Sequence, residues 1–98
     1  MTDVGLSPEA VEDLDRLIIT HSLPADTRPR VKRSLGALER FPRIGRELDE
    51  PWSPLRLTLG PWRWLLIVYT YDEQEDSVVV LSFQDARSSH AVTSLPSP

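Results

Sequence analysis

The sequence predicts an α+β fold, with a short N-terminal strand and a helical hairpin packed on a three- to four-stranded, mainly antiparallel sheet. Three observations carry that prediction. Apolar residues recur at helical spacing through the first forty residues, the period changes to two from residue 55, and the apolar runs beyond it are separated by short turn signals. A chain of 98 residues encloses one modest core, so residues 1–98 are expected to form a single domain, with the Ser/Pro-rich residues 93–98 as a frayed tail.

Each element has a local reason. Val4 and Leu6 alternate with small or polar neighbours, as in a short strand. Ser7-Pro8-Glu9 is a helix start: serine caps, proline suits the first helical position, and glutamate complements the positive end of the dipole. Val11, Leu14 and Ile18 follow on one face, Glu12, Asp13, Asp15 and Arg16 fall outside it, and the helix should end near Thr20, before Pro24. Asp26 or Thr27 can cap a second helix with Pro29 in its first turn. Val31, Leu35, Leu38 and Phe41 form its apolar stripe, and Pro42 ends it. Gly36 costs about 1 kcal/mol relative to alanine, which close packing against the first helix would justify.

In the second half, Leu55, Leu57 and Leu59 share one face and Arg56 and Thr58 the other. Gly60-Pro61 is a turn, and residues 62–71 are apolar on both faces, as in a central strand. The acidic residues 72–76 make a hairpin tip, and the valine-rich residues 77–83 make a third long strand. The leucine face needs a cover, and the helical hairpin is the expected one.

Composition removes several function classes. Without cysteine there is no disulfide, thiolate metal site or cysteine nucleophile, and a reducing cytoplasmic setting is expected. The two histidines, His21 and His90, have no metal-ligand spacing, and the four glycines form no phosphate loop, so neither metal nor other cofactor is expected. The apolar run at 64–69 is too short to span a bilayer, so no membrane partner is expected. The net charge of −4 argues at first against a nucleic-acid partner, but it averages unlike segments. Residues 1–27 carry six acids and one base, residues 28–46 seven bases and one acid, and residues 47–98 eight acids and three bases.

The candidate chemistry lies in the basic residues. Arg56 projects away from the leucine face, and Arg63 stands two residues after the Gly60-Pro61 turn, expected near the Arg56 end of the hairpin. If Trp62 and Trp64 take the core side, Arg63 shares the face of Arg56, and Arg87 closes the group from the end of the third strand. Guanidiniums so grouped would bind a phosphate through planar forks that stay charged. His90, three residues beyond Arg87, is the nearby group that titrates near neutrality, and Glu47 is a candidate carboxylate base. Arg28, Lys32, Arg33, Arg40, Arg43 and Arg46 form a basic surface for RNA or a partner. The bland reading stands beside each of these: solubilising arginines, a surface histidine, packing tryptophans and a solvated helix face.

The order strand–helix–helix–meander resembles the RelE/ParE superfamily of type II toxins, which includes plasmid-stabilisation toxins. Leu6-Ser7-Pro8-Glu9-Ala10 is similar to the family's first strand-to-helix junction. Residues 38–48, with Phe41-Pro42 and then Gly45, are similar to its helix-end signature. Leu55-Arg56-Leu57 and then Gly60-Pro61-Trp62-Arg63-Trp64 resemble its lead into the central strand. The resemblance implies a toxin that cuts mRNA on the ribosome without a metal, in which the ribose 2′-OH attacks the adjacent phosphate and translation stops. Arg56, Arg63 and Arg87 would then be catalytic cations and His90 the acid/base residue. It also implies the alternatives of a non-catalytic ParE-like poison of DNA gyrase, or an inactive homologue that only binds an antitoxin. A cognate antitoxin is the implied partner in each case. The chain departs from the RelE pattern in carrying a single lysine, Lys32.

Overall fold

A computed structural model describes residues 2–87 of the chain. In chain order the elements are β1 (Asp3–Leu6), α1 (Pro8–Thr20), α2 (Thr27–Arg40), β2 (Arg46–Glu47), β3 (Arg56–Leu59), β4 (Leu65–Asp72) and β5 (Ser77–Asp85). They form an α+β fold with a five-stranded sheet in the order β1-β5-β4-β3-β2. β1 runs parallel to β5 and the other neighbours are antiparallel. The strand beyond the expected number is β2, whose two residues are too few to leave an alternation in the sequence. Among the described residues, no helix is long and apolar enough to cross a membrane.

Both helices begin where their residue types predict. The Ser7 hydroxyl oxygen accepts from the Ala10 N–H at 3.1 Å and the hydroxyl donates to the Leu81 carbonyl at 3.2 Å, so one side chain caps α1 and ties it to β5. At α2 the outcome is weaker. Asp26 holds the cap position with no side-chain cap bond, and Thr27 is fully buried with its Oγ1 unbonded.

The core lies between the helices and one face of the sheet. Ala10 and Leu14 of α1 and Val31, Leu35 and Leu38 of α2 meet Leu65, Ile67 and Tyr69 of β4 and Val78, Val80 and Phe83 of β5. Burying each aliphatic side chain contributes about 1.5–3 kcal/mol. A bulge in β5 keeps its two halves on this face: Tyr69 pairs with Val80 but Val68 with Ser82, so Leu81 is the extra residue. Past the bulge, the α1 residue Asp13 takes the Phe83 N–H at 3.2 Å and the Ser82 hydroxyl at 2.9 Å. Asp13 thus faces the sheet, unlike the outward position its helical phase predicts.

The helices cover the face opposite to the one expected. Leu57 pairs with Val68 and Leu59 with Leu66, which puts the β3 leucines on the side away from the helices. Thr58 and Arg56 instead share a side with Ile67 and Tyr69. Because β4 is apolar on both faces, with Leu66 and Val68 as buried as their neighbours, its pattern does not choose between them. Gly36 gives a second correction. A Cβ there would have nothing within 4 Å, so this glycine marks no close contact with α1.

Candidate nucleic-acid interface

Arg56, Arg63 and Arg87 do not converge as expected. Arg56 pairs with Tyr69, whereas Arg87 follows the Leu65–Asp85 pair at the other end of β4. Four residues of strand, about 13 Å, separate those positions. Arg56 instead points at the α2–β2 connection. Its Nη1 donates to the Gly45 carbonyl at 2.7 Å and to the Arg43 carbonyl at 3.4 Å, and the Glu47 carboxylate lies 3.9 Å away. Tyr69 completes this knot, its hydroxyl oxygen accepting the Gly45 N–H at 2.9 Å. Burial pushes the Tyr69 hydroxyl above the ordinary phenol range. Glu47 also accepts from the Ser53 hydroxyl at 3.1 Å, so it belongs to this end and not to that of Arg87.

Arg63 and Arg87 lie at the same end of the sheet. The Ala86 N–H donates to the Trp64 carbonyl at 2.7 Å, extending the β4–β5 pairing one step past the ladder. The next residues out are Arg63 and Arg87, both exposed. Arg63 makes no hydrogen bond or ion pair with the described residues. Arg87 is held by Asp85, with Nε 3.0 Å from Oδ1 and Nη2 3.1 Å from Oδ2. This fork pulls the Asp85 carboxyl below the usual carboxylate range and raises the guanidinium. The Arg87 side chain is still 62% exposed, which leaves its outer edge available to an anion.

The turn before β4 shapes the rest of this end. The Gly60 N–H bonds to the Leu65 carbonyl and the Leu65 N–H to the Trp62 carbonyl, closing a tight turn. It sets both tryptophans against the core, with their rings stacked 5.5 Å apart at 9°. Arg30 of α2 lies 4.9 Å over Trp62 and Arg87 lies 5.0 Å over Trp64, so two guanidiniums flank the indole pair. His21, which caps the C-terminus of α1, packs its ring 5.5 Å from Trp64 and sets Nε2 3.2 Å from Asp85 Oδ2. Of this cluster, only Arg63 and Arg87 are expected from the sequence as site residues. His21, Arg30 and Asp85 carry no motif, and only the strand register and the helix ends bring them together.

The basic segment divides into engaged and free cations. Arg28 is ion-paired to Asp15. Arg43 is ion-paired to Glu73 and lies 5.4 Å over Tyr71, and the Glu73 hydrogen bond raises its pKa. Lys32, Arg33, Arg40 and Arg46 are exposed, and no ion pair engages them among the described residues. His90 lies outside the described residues. Among those residues, no group of three or more His, Cys, Asp or Glu side chains could hold a metal ion.

No family model matches the chain, and no curated protein matches it. Solved structures do. The RelBE toxin–antitoxin complex of E. coli aligns with a TM-score of 0.66 at 16% identity, covering 90% of this chain and 100% of that one. The RelBE2 toxin–antitoxin complex of Mycobacterium tuberculosis gives 0.65 at 23% identity, covering 86% and 96%. The chromosomal ParDE system of P. aeruginosa gives 0.67 at 10% identity, covering 89% and 98%. Nearly whole chains superpose in all three cases, and the chain therefore has the fold of the RelE and ParE toxins.

Proposed function

We propose that this chain is the toxin of a type II toxin–antitoxin pair and cleaves mRNA on the ribosome. The observation that carries this reading is the exposed Arg87 guanidinium, gripped by Asp85 and lying over Trp64 at the end of the sheet where the turn carries Arg63. In the reaction the ribose 2′-oxygen bonds to the adjacent phosphorus, the bond to the 5′-oxygen breaks, and a 2′,3′-cyclic phosphate is left. Negative charge builds on the phosphoryl oxygens in between, and the Arg87 and Arg63 guanidiniums stabilise it more than they stabilise the substrate. Asp85 and Trp64 hold Arg87 in place before RNA arrives. Arg56 has a different task, bracing the loop that carries Arg43 and Arg46. The fold shared with toxins crystallised with antitoxins supports a protein antitoxin as partner. A groove lined by Val4, Leu6, Val11, Leu14, Val31 and Leu35, with Arg28 and Lys32 beside it, suits an apolar antitoxin segment.

Primer extension on mRNA after induction tests the reading. Wild-type protein should give discrete cuts, and Arg63→Ala should lose about 2–3 kcal/mol of transition-state stabilisation. Intact mRNA under wild-type induction would sink the nuclease. A ParE-like gyrase poison is the second reading. Phe41 and Ile44, 61% and 56% exposed beside Arg40, favour it as an apolar surface for protein contact. Gyrase-linked DNA breaks that persist in Arg63→Ala would support that alternative.

A further inference from the structure

The geometry points to His21 as the base that takes the 2′-OH proton in this site, an inference that rests on the nuclease reading. Among the described residues, His21 is the only imidazole, and an imidazole changes charge between about pH 5 and 8. It stands at the same end of the sheet as Arg63 and Arg87, with Nε2 3.2 Å from the carboxylate that grips Arg87. Asp85 thus joins the phosphate-binding cation and the imidazole through one rigid anion. A ring proton on Nε2, 3.2 Å from Asp85 Oδ2, would leave the lone pair on Nδ1. This is the arrangement by which a carboxylate fixes the tautomer of a catalytic histidine. The ring is further fixed by Trp64, and its side chain is 31% exposed, so substrate can reach it.

Three other described proton carriers are placed elsewhere. The Tyr69 hydroxyl is buried against Gly45, the Tyr71 hydroxyl donates to Asp76 beside the hairpin tip, and Glu47 sits with Arg56 and Ser53. The charged groups recorded beside His21 and its Trp64 neighbour are Asp85 and Arg87 from the end of β5, with Arg30 of α2 over the stacked Trp62. In the step, the 2′-OH proton moves to Nδ1 as the oxygen bonds to phosphorus. The departing 5′-oxygen takes a proton from water, and the imidazolium returns its proton to solvent.

The test is cleavage of a defined mRNA on programmed ribosomes, followed across pH for wild type, Arg63→Ala, His21→Gln and His21→Ala, with thermal melts of each variant. Expected are a rate about 10²- to 10⁴-fold lower for both His21 variants, loss of the rate's rise between about pH 5 and 8, and partial recovery of His21→Ala on adding free imidazole. Recovery by imidazole separates proton transfer from a merely structural ion pair. If wild type cleaves and Arg63→Ala does not, while His21→Gln keeps both rate and pH profile, the His21 assignment is overturned and the nuclease reading stands. If wild type does not cleave, both fall together.

Discussion

Gly45 is the position at which the backbone leaves least room. A Cβ there would lie 2.7 Å from both the Leu57 carbonyl oxygen and the Tyr69 hydroxyl. The first of these is backbone and cannot rotate away, so Gly45→Ala should destabilise the fold by about 1–3 kcal/mol, read from urea unfolding. The same knot separates two arginines that look alike in sequence. Arg56 has its guanidinium on two carbonyls in a site where its side chain is 21% exposed, whereas Arg63 bonds nothing among the described residues. Arg56→Ala is therefore expected to cost about 1–3 kcal/mol of stability, and Arg63→Ala to stay within about 0.5 kcal/mol of wild type. Equal melting of both variants would show that Arg56 is not the brace its contacts describe. Local pattern could not distinguish them, because both are single cations near a glycine. Their difference comes from Tyr69 and Gly45, which lie 24 residues apart in the chain.

The legible elements are those whose signal is local. Ser7-Pro8-Glu9 announces α1, and the Ser7 side chain makes the predicted cap. Because that hydroxyl also bonds to Leu81 of β5, Ser7→Ala should cost toward the upper end of the usual range of about 0.5–2 kcal/mol. β5 shows where legibility stops. Strict alternation from Val78 would place Ser82 inward, and only the bulge at Leu81 returns Phe83 to the core. The same shift sets Asp85 opposite Leu65, on the helix side, where it meets His21 and Arg87. The candidate site is thus half visible in sequence: Arg63 and Arg87 can be named from the turn and strand end, but Asp85 and His21 depend on a register offset. Asp85 also predicts a pH response. Arg87 depresses its folded-state pKa, so its stabilisation is present above the unfolded value of about 3.9 and is lost as pH falls through the folded value. Stability should decline below about pH 4, and Asp85→Asn should flatten that decline in denaturation series run at successive pH values.

At the scale of the molecule, the net charge of −4 conceals a division between cations that are spent and cations that are free. Arg28 and Arg43 are neutralised by Asp15 and Glu73, and Arg56 is committed to the chain's own carbonyls. Two free sets remain. One is Lys32, Arg33, Arg40 and Arg46, along α2 and β2. The other is Arg63 and Arg30 at the end that holds the stacked tryptophans, beside Arg87, which Asp85 pairs but leaves 62% exposed. Salt dependence can tell which set meets RNA, because each cation placed on a single-stranded phosphate contributes about −0.7 to the slope of log K against log salt. If RNA rests on the sheet end alone, the slope should be about −2, and Arg63→Ala should make it shallower by about 0.7. A slope near −5 would mean that the α2 face contributes as well, and Arg33→Ala with Arg40→Ala would then flatten it. We expect the shallow slope. The two acidic segments repel a phosphate chain everywhere except at a local cluster, and Glu39 stands within the α2 set. Fluorescence anisotropy of a short labelled RNA between 50 and 200 mM salt, where the electrostatic term changes most in practice, measures the slope directly. Binding that fails to weaken with salt would exclude the Arg63–Arg87 end as a phosphate site.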